Sequence, residues 1–252
     1  MKTKGQIRIK SAEEIAILRK AGRTLSSIMK ELVRSLKSGM TTLEIDQLTE
    51  KLINAHDVKA AFKGYRGFPN CACVSVNEEV VHGIPGRRTI KDGDIVSIDV
   101  GIVQQGYYAD TAVTLGIGKV SPELDKLLEV TKTALAKGIA QAKVQNQLSD
   151  ISHAIQTYVE ANRFSVVREF VGHGIGTELH EEPEILNYGP PHCGPVLQEG
   201  MILAVEPMVN VGGWQTKISE DGWTVVTLDG KPSAHFEHTV AVTMNGPEIL
   251  TA

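Results

Sequence analysis

Residues 94–101 read DIVSIDVG and residues 107–113 read YYADTAV, two apolar segments that each carry an aspartate near the middle. The β-branched residues in both segments favour strands, and the QQG at 104–106 between them is typical of a turn. If the segments pair as an antiparallel hairpin with an even-length loop, Asp99 and Asp110 lie on the same face. They are then directly opposite or on the adjacent diagonal, roughly 5 to 8 Å apart.

This pair of carboxylates needs a compensating positive charge. Two carboxylates inside apolar strands repel each other, and burying each one unpaired costs several kcal/mol. Aspartate is also disfavoured in the interior of a strand. A bound metal ion, or a pair of them, is the simplest source of the missing charge, so the hairpin predicts a metal site.

The composition of the chain restricts its class. Its 252 residues fit one large domain or two small ones, and 42% apolar with 22% charged residues is ordinary for a globular protein. The net charge of −4 provides no basic field for nucleic acid or for an anionic membrane surface. The chain contains no run of about 18 apolar residues, so no membrane-spanning helix is predicted.

The location is predicted from the N-terminus and the cysteines. The basic residues Lys2, Lys4, Arg8 and Lys10 are not followed by an apolar segment, so a signal peptide is not expected. The odd number of cysteines suits a reducing compartment, and the cytoplasm is the expected location. We expect all three, at positions 71, 73 and 193, to be structural or pocket-lining thiols.

The periodicity of apolar residues predicts two pairs of helices, each followed by strands. The first pair covers residues 12–36 and a segment that opens at Thr41, and the second covers about 121–145 and about 149–161. Residues 60–71, rich in glycine and aromatic residues, are predicted to be a loop, with a short strand directly after it. The recurrence of helices and strands suggests two related halves.

The second half contains further polar residues in apolar surroundings. His173 lies between two glycines, Glu206 ends an apolar strand, and Glu237 lies in a strand of alternating pattern. A single glutamate at the end of a strand is usually solvated. Four carboxylates and one imidazole in such positions form an oxygen-rich set, which suits Mn²⁺, Fe²⁺ or Co²⁺, with Zn²⁺ as an alternative.

The charge of this set predicts two metal ions and a hydrolytic reaction. Four carboxylates carry too much negative charge for one divalent ion, whereas two divalent ions neutralise it. Carboxylates that bridge two ions hold them about 3.5 to 4 Å apart, and a water shared between them becomes a nucleophile near neutral pH. The pattern therefore indicates metal-assisted hydrolysis.

The order and spacing of these residues resemble those of methionine aminopeptidases of type I. The resemblance covers nearly the whole chain, which matches that family in the segments HGIP at 82–85, KDGD at 91–94, GHGIG at 172–176, HEEP at 180–183, EPM at 206–208, DGWT at 221–224 and EHT at 237–239. The chain is similar to the short bacterial form, because the insertion of type II members and the zinc-binding extension of eukaryotic type I members have no counterpart in it.

The resemblance implies a fold and a domain organisation. The fold is the pita-bread fold, an α/β (α+β) architecture in which two pseudo-symmetric halves, with an antiparallel sheet flanked by helices, surround a dinuclear metal site. Residues 1–252 would form a single catalytic aminopeptidase domain.

The resemblance also implies the metal ligands. Asp99 would bind one metal and Asp110 would bridge both metals. His173 and Glu206 would bind the other metal, and Glu237 would be the second bridge. The cofactors would be two divalent metal ions, with Fe, Mn, Co and Zn all left open.

The remaining roles concern the substrate. Glu206 would handle the proton of the attacking water that bridges the metals, His180 would stabilise the substrate carbonyl or oxyanion, and His82 would contact the region of the scissile bond. Five residues match the walls of the methionine pocket: Tyr65, Phe68, Cys73, Leu179 and Trp223. Phe62 and Leu179 depart from the residues common in bacterial members, which leaves the strictness of methionine preference open.

The implied activity is a metalloaminopeptidase that removes the N-terminal methionine when the second residue is small. The expected substrates are the N-termini of nascent polypeptides, the ribosome is a further candidate partner, and a monomer without nucleic acid or membrane partners is expected. Two alternatives share the fold. One is an Xaa-Pro or broad aminopeptidase, although Xaa-Pro members usually carry an additional N-terminal domain, and the other is a non-catalytic binding protein, which typically lacks ligands that are present here.

Overall fold

The computed structural model describes residues 6–252, so Lys2 and Lys4 of the basic N-terminal segment lie outside the described residues. The helices are α1 (Ala12–Ser35), α2 (Thr42–Ala55), α3 (Pro122–Ile139) and α4 (Leu148–Ala161). The strands are β1 (Lys59–Ala60), β2 (Ala72–Val76), β3 (Glu79–Val81), β4 (Ile95–Gln104), β5 (Tyr107–Gly116), β6 (Ser165–Val166), β7 (Gly172–Gly174), β8 (Glu181–Ile185), β9 (Ile202–Val205), β10 (Met208–Asn210), β11 (Thr216–Ile218), β12 (Val225–Thr227), β13 (Ser233–His235), β14 (Glu237–Thr243) and β15 (Gly246–Ile249).

The first two helices begin where their side chains cap them. Ser11 accepts a hydrogen bond from the backbone N–H of Glu14, whose carboxylate accepts one from the N–H of Ser11. Thr41 and Glu44 repeat this capping box at the start of α2. Both helices bury one apolar face; α1 agrees with its predicted bounds, and α2 with its predicted start, to within one residue.

The prediction for the third helix was wrong at its end. Residues 121–145 were expected to be helical, but α3 ends at Ile139. The backbone after it bonds to another segment, because the N–H of Gln145 donates to Leu197 O at 3.1 Å and the N–H of Leu197 donates to Asn146 O at 2.8 Å. These tertiary hydrogen bonds override a local sequence that favours helix.

The central sheet has nine strands, in the order β1-β4-β5-β14-β9-β7-β8, with β2 also paired to β4 and β15 to β14. All pairs are antiparallel. The predicted hairpin is β4 and β5, joined by Gln105 and Gly106. Both loop residues have positive φ, 52° and 84°, as in the two-residue turns that match the twist of a hairpin.

Each half of the chain has its own hydrophobic core. Buried residues of α1 and α2 pack with those of β2 and β4, and buried residues of α3 and α4 pack with those of the second-half strands. The element order of two helices followed by strands occurs twice, which confirms the prediction of two related halves. The central sheet is shared by the two halves. Four of the five predicted metal ligands lie on its strands, and the fifth, Glu206, follows directly after β9.

Two further expectations concern the cysteines and the membrane. Cys71 and Cys73 are buried, whereas Cys193 is exposed, so the expectation of a structural or pocket-lining thiol was wrong for Cys193. The loop 190–194, which contains two prolines and a glycine, holds it at the surface. Within residues 6–252, no helix combines the length and the apolarity needed to cross a bilayer.

Replacement of Gly22 by alanine should destabilise the protein by about 1 to 3 kcal/mol, the cost typical of overpacking. A Cβ at Gly22 would overlap the carbonyl group of Leu250, whose N–H is bonded to Thr239 O at 2.9 Å and which therefore cannot move freely. Urea unfolding measures the effect, with S27A, on the exposed face of the same helix, as the control. The control should change stability by less than about 0.5 kcal/mol. A stabilised G22A, as helix propensity alone predicts, would contradict this packing argument.

Candidate metal centre

The hairpin places two carboxylates on one face of the sheet. Asp99 of β4 pairs with Ala112 of β5, and Asp110 pairs with Gly101. The two aspartates are therefore on adjacent diagonal positions, the second of the two arrangements that the hairpin allows. The residues opposite them are small, and at Gly101 the space is filled by Phe62, whose ring a Cβ there would meet at 2.7 Å.

Strand β14 brings a third carboxylate to the same face. Glu237 pairs with Ala112, so Asp99, Ala112 and Glu237 form one row across three strands. The hydroxyl of Thr239 accepts a hydrogen bond from the N–H of Asp110 at 3.0 Å and donates one to its carbonyl oxygen at 2.8 Å. These bonds fix β14 against β5 next to the carboxylates.

Strands β9 and β7 complete the row of donors. Ala204 pairs with both Thr239 and His173, and Glu206 follows directly after the end of β9. The close packing of neighbouring strands explains the glycines on either side of His173. A Cβ at Gly172 would overlap Ala204 O, and a Cβ at Gly174 would overlap Glu182 O, so only glycine fits between these strands.

These side chains meet in one cavity of about 140 Å³. Every residue that the sequence predicted for the site borders it, together with Phe62 and Arg66. The lining is Phe62, Tyr65, Arg66, Phe68, Cys73, His82, Asp99, Asp110, His173, Leu179, His180, Glu206, Trp223 and Glu237. A wider cavity of about 1000 Å³, bordered by His173, His180 and the segment 6–10, lies next to it.

Donor atoms of four of the five predicted ligands lie close together. One donor atom each from Asp110, His173 and Glu237 lie within 4.8 Å of one another, and all three residues are buried. Glu206 Oε1 lies 3.4 Å from His173 Nε2 and extends the cluster. His173 Nδ1 lies 2.9 Å from Gly174 O, which can only accept, so Nδ1 carries the hydrogen and Nε2 has a free lone pair.

Several carboxylate oxygens of the cluster are buried without a hydrogen-bond partner among the described residues. They are Asp99 Oδ1, Asp110 Oδ1 and Glu237 Oε1. An unpartnered buried carboxylate oxygen is strongly unfavourable, so these atoms need a cation or a proton. The hard oxygen donors and the one free imidazole nitrogen fit divalent transition-metal ions.

The electrostatics of the cluster reflect this need. Burial raises the pKa of Asp99 and of Glu206 to about 7 in each case. Burial, and after it the negative charge of neighbouring carboxylates, raises the pKa of Asp110 and of Glu237 well above the usual range. The four groups ionise together only when positive charge is supplied.

Two histidines at the cavity are held neutral near pH 7. Burial lowers the pKa of His82 to about 4 and that of His180 to about 3, with nearby positive groups as a smaller cause. The Tyr65 hydroxyl lies 2.8 Å from His180 Nδ1, and the His180 ring is 4.3 Å from the His173 ring between centroids. His82 has a φ of 58°, an uncommon conformation for a residue other than glycine, and such strain is concentrated at functional sites.

The other end of the cavity is apolar. Phe68 and Trp223 contact each other edge to face at 5.3 Å between ring centroids, and Leu179 is almost fully buried. Cys73 pairs with Asp99 across β2 and β4 and so lies between the apolar wall and the carboxylates. The cavity is thus a narrow apolar slot that ends at a cluster of metal-binding groups.

The sequence analysis missed one buried polar residue at this cluster. His235 is 2% exposed, and its Nε2 lies 3.6 Å from Glu206 Oε2 without a hydrogen-bond partner among the described residues. Burial lowers its pKa. Its signal in the sequence is its place two positions before Glu237, although in the structure Phe236 separates the two residues into β13 and β14.

A comparison with protein-family models finds a match over residues 16–244, to metallopeptidase family M24. The chain belongs to this family. Four helices and a curled antiparallel sheet around the candidate site agree with the expected pita-bread fold, which is therefore confirmed.

Family relatives with closely similar sequences are methionine aminopeptidases. Methionine aminopeptidase 1 of Bacillus subtilis is 54% identical over 96% of this chain and 98% of its own length. A methionine aminopeptidase of Clostridium perfringens is 52% identical over the same shares. Within family M24, the chain therefore groups with the methionine aminopeptidases.

Solved structures agree with this placement. The crystal structure of methionine aminopeptidase from Thermotoga maritima has a TM-score of 0.96 at 48% identity, over 98% of this chain and 99% of that one. Prolidase from Pyrococcus furiosus has a TM-score of 0.78 at 23% identity, over 97% of this chain and 65% of that chain. The likeness to prolidase shows the fold alone.

Metal binding to the chelator-treated protein should release protons at pH 6, and its apparent affinity should rise from pH 5 to pH 8. The raised pKa values mean that the carboxylates hold protons at pH 6, and metal ions displace them. Calorimetric titration with Mn²⁺ in buffers of different ionisation enthalpy measures the release. A control at pH 8.5, above the pKa of about 7 of Asp99 and Glu206, should show less release, and heats at pH 6 that do not depend on the buffer would contradict the prediction.

Proposed function

We propose that this chain is a metal-dependent aminopeptidase that removes the N-terminal methionine from polypeptides whose second residue is small. The observation that carries the proposal is the narrow apolar slot that ends at a cluster of buried carboxylates and a histidine. The slot suits one apolar side chain, and the cluster suits divalent metal ions. The names of the sequence relatives support the same activity.

The proposed metal ligands are Asp99, Asp110, His173, Glu206 and Glu237. The diagonal aspartates and Glu237 surround one position, and His173 and Glu206 face each other at 3.4 Å beside it. Two divalent ions at these residues would balance the four carboxylates, polarise the scissile carbonyl and lower the pKa of a bound water. The residues alone do not discriminate among Mn²⁺, Fe²⁺, Co²⁺ and Zn²⁺.

The catalytic roles follow from the neighbours of this cluster. Glu206, whose carboxylate borders the cavity and would be ionised once metal ions are bound, can accept a proton from a water molecule and return it to the leaving amine. His180, held neutral by burial, can donate a hydrogen bond to the carbonyl oxygen as negative charge develops there. His82 borders the same cavity and would contact the backbone next to the scissile bond.

The remaining chain of the substrate needs a path out of the slot. The wider cavity of about 1000 Å³ shares His173 and His180 with the site and provides such a path for an extended polypeptide. The Tyr65 hydroxyl lies 2.8 Å from His180 Nδ1, and His180 borders both cavities, so this pair would restrict the space for the second side chain. This arrangement favours a small second residue and a polypeptide substrate.

The biological setting follows from this activity. The proposed substrates are the N-termini of newly made polypeptides, and we place the reaction in the cytoplasm, where Cys71 and Cys73 would stay reduced. Residues 1–252 would act as one catalytic domain in a monomer. Cleavage before proline is disfavoured, because the similarity to prolidases extends to the fold alone and the 54% identical relative is a methionine aminopeptidase.

H173A should bind fewer than the two Mn²⁺ ions expected for the wild type, whereas H180A should bind both. His173 is proposed as a ligand, and His180 as a hydrogen-bond donor to the substrate. H180A should therefore lose mainly kcat, by about 10²- to 10³-fold, as for a deleted oxyanion donor. Calorimetry gives the metal stoichiometry, and steady-state kinetics with saturating metal gives kcat. Equal loss of metal in both variants would contradict this division of roles.

A panel of Xaa-Ala-Ser peptides should show a strong preference for methionine as Xaa. An unbranched thioether fits the slot between Phe68, Trp223 and Cys73, whereas a charged side chain would lose its hydration there without a partner. Compared with methionine, leucine is shorter and branched, and norleucine has a methylene in place of the sulfur. A change of about one group is worth about 1 to 3 kcal/mol, so slow cleavage of both is expected. The measured quantity is kcat/KM with saturating Mn²⁺ or Co²⁺.

The same assay identifies the alternatives. Cleavage of lysine, glutamate and alanine peptides as fast as the methionine peptide would indicate a broad aminopeptidase. Cleavage of Ala-Pro-Ala in preference to Met-Ala-Ser would indicate an Xaa-Pro peptidase. Stoichiometric metal binding without any cleavage would indicate a binding protein that retains the metal ligands.

A further inference from the structure

His235 occupies a fixed position next to Glu206, the residue proposed to carry the proton. Its backbone N–H donates to Thr114 Oγ1 at 2.8 Å, and its carbonyl oxygen accepts from the same hydroxyl at 2.7 Å. Thr114 is also bonded to Ser97 at 2.7 Å, and His235 pairs with Met208 in the neighbouring strand. The backbone of His235 is therefore held from both sides, which determines where its ring can lie.

The ring of His235 faces one oxygen of Glu206. The carboxylate of Glu206 lies between two imidazoles, with Oε1 at 3.4 Å from His173 Nε2 and Oε2 at 3.6 Å from His235 Nε2. Within residues 6–252, Glu206 is the one carboxylate that has an oxygen within 4.0 Å of a ring nitrogen of His235. His235 Nε2 is buried and has no hydrogen-bond partner in that part of the chain.

We propose that His235 is a positioning residue for Glu206, to which it donates a hydrogen bond from Nε2–H to Oε2. An ionised carboxylate only accepts hydrogen bonds, so the nitrogen that faces it must carry the hydrogen. The separation of 3.6 Å closes to a normal hydrogen bond through a small rotation of the Glu206 carboxylate. The bond holds Oε1 toward His173 and leaves Oε2 directed away from it.

This role deepens the proposed function and rests on it, because it concerns the residue proposed to bind metal and to carry the proton. Groups that hydrogen-bond to a metal-binding carboxylate fix its orientation, and their loss typically lowers metal affinity or activity by about 10- to 100-fold. His235 is well suited to such a role because it is deeply buried and its backbone is fixed. His235 is not among the residues that line the slot or the wider cavity.

Three variants test the proposal: H235A, which removes the donor, H235Q, which keeps an amide N–H donor, and H238A as a matched control. His238 is a partly buried histidine three positions later, and its ring bonds Thr251 Oγ1 at 2.9 Å, away from the site. Each full-length variant is first checked for folding by urea unfolding. Calorimetry then gives the number and affinity of bound Mn²⁺ ions, and the visible spectrum of the Co²⁺-loaded protein reports the geometry of the ligands.

H235A should keep two metal ions, bind the weaker one about 10- to 100-fold less tightly or lose kcat by the same factor, and show a changed Co²⁺ spectrum. Its KM for Met-Ala-Ser should stay within about threefold of the wild type, since His235 does not line the slot. H235Q should recover most of the loss, and H238A should resemble the wild type.

Three outcomes would overturn the proposal. Loss of a whole equivalent of metal in H235A would make His235 a ligand. Equal defects in H235A and H235Q would exclude a donor role, and an equal defect in H238A would show a general effect of losing a buried histidine. If the wild type binds metal but does not cleave methionine peptides, the proposed function fails, while the metal affinities and the Co²⁺ spectra still decide the contact between His235 and Glu206.

Discussion

The repulsion between buried carboxylates is the constraint on which the rest of the structure depends. Asp99, Asp110, Glu206 and Glu237 meet on one face of the sheet, where burial raises the pKa of each of them. Such a cluster weakens a fold unless cations are bound, so the surrounding structure has to hold it in place. The two hydrophobic cores do so from the opposite face of the sheet, because Val100, next to Asp99, belongs to one core and Val240, three residues after Glu237, belongs to the other.

The position of each donor follows from strand pairing. The rows that run across β4, β5, β14, β9 and β7 have small residues between the donors, such as Ala112 and Ala204, so the longer side chains can converge above them. A shift of one residue in the register would move a carboxylate to the opposite face. Thr239, which bonds both backbone groups of Asp110, makes such a shift between β5 and β14 costly.

Much of this arrangement could be predicted from the sequence, because its signals are local. The capping residues Ser11 and Thr41 mark the first two helices, and Gln105-Gly106 marks the hairpin. The end of α3 could not be predicted, because it depends on hydrogen bonds to the distant segment 193–197. No local pattern predicts that Phe68 and Trp223 lie near the same aspartates, so the cavity as a whole is predicted only by the resemblance to a family.

His235 shows why the site was predicted incompletely. The sequence indicates a ligand where a polar residue lies in a long apolar segment or between glycines. A histidine between Ala234 and Phe236 in a short strand does not meet that criterion. Its importance depends on the register between β13 and β10, which pairs it with Met208 and brings its ring next to Glu206. The residues that orient a site are therefore harder to recognise in a sequence than those that form it. They carry no charge pattern of their own, and only the tertiary structure identifies the atom they contact.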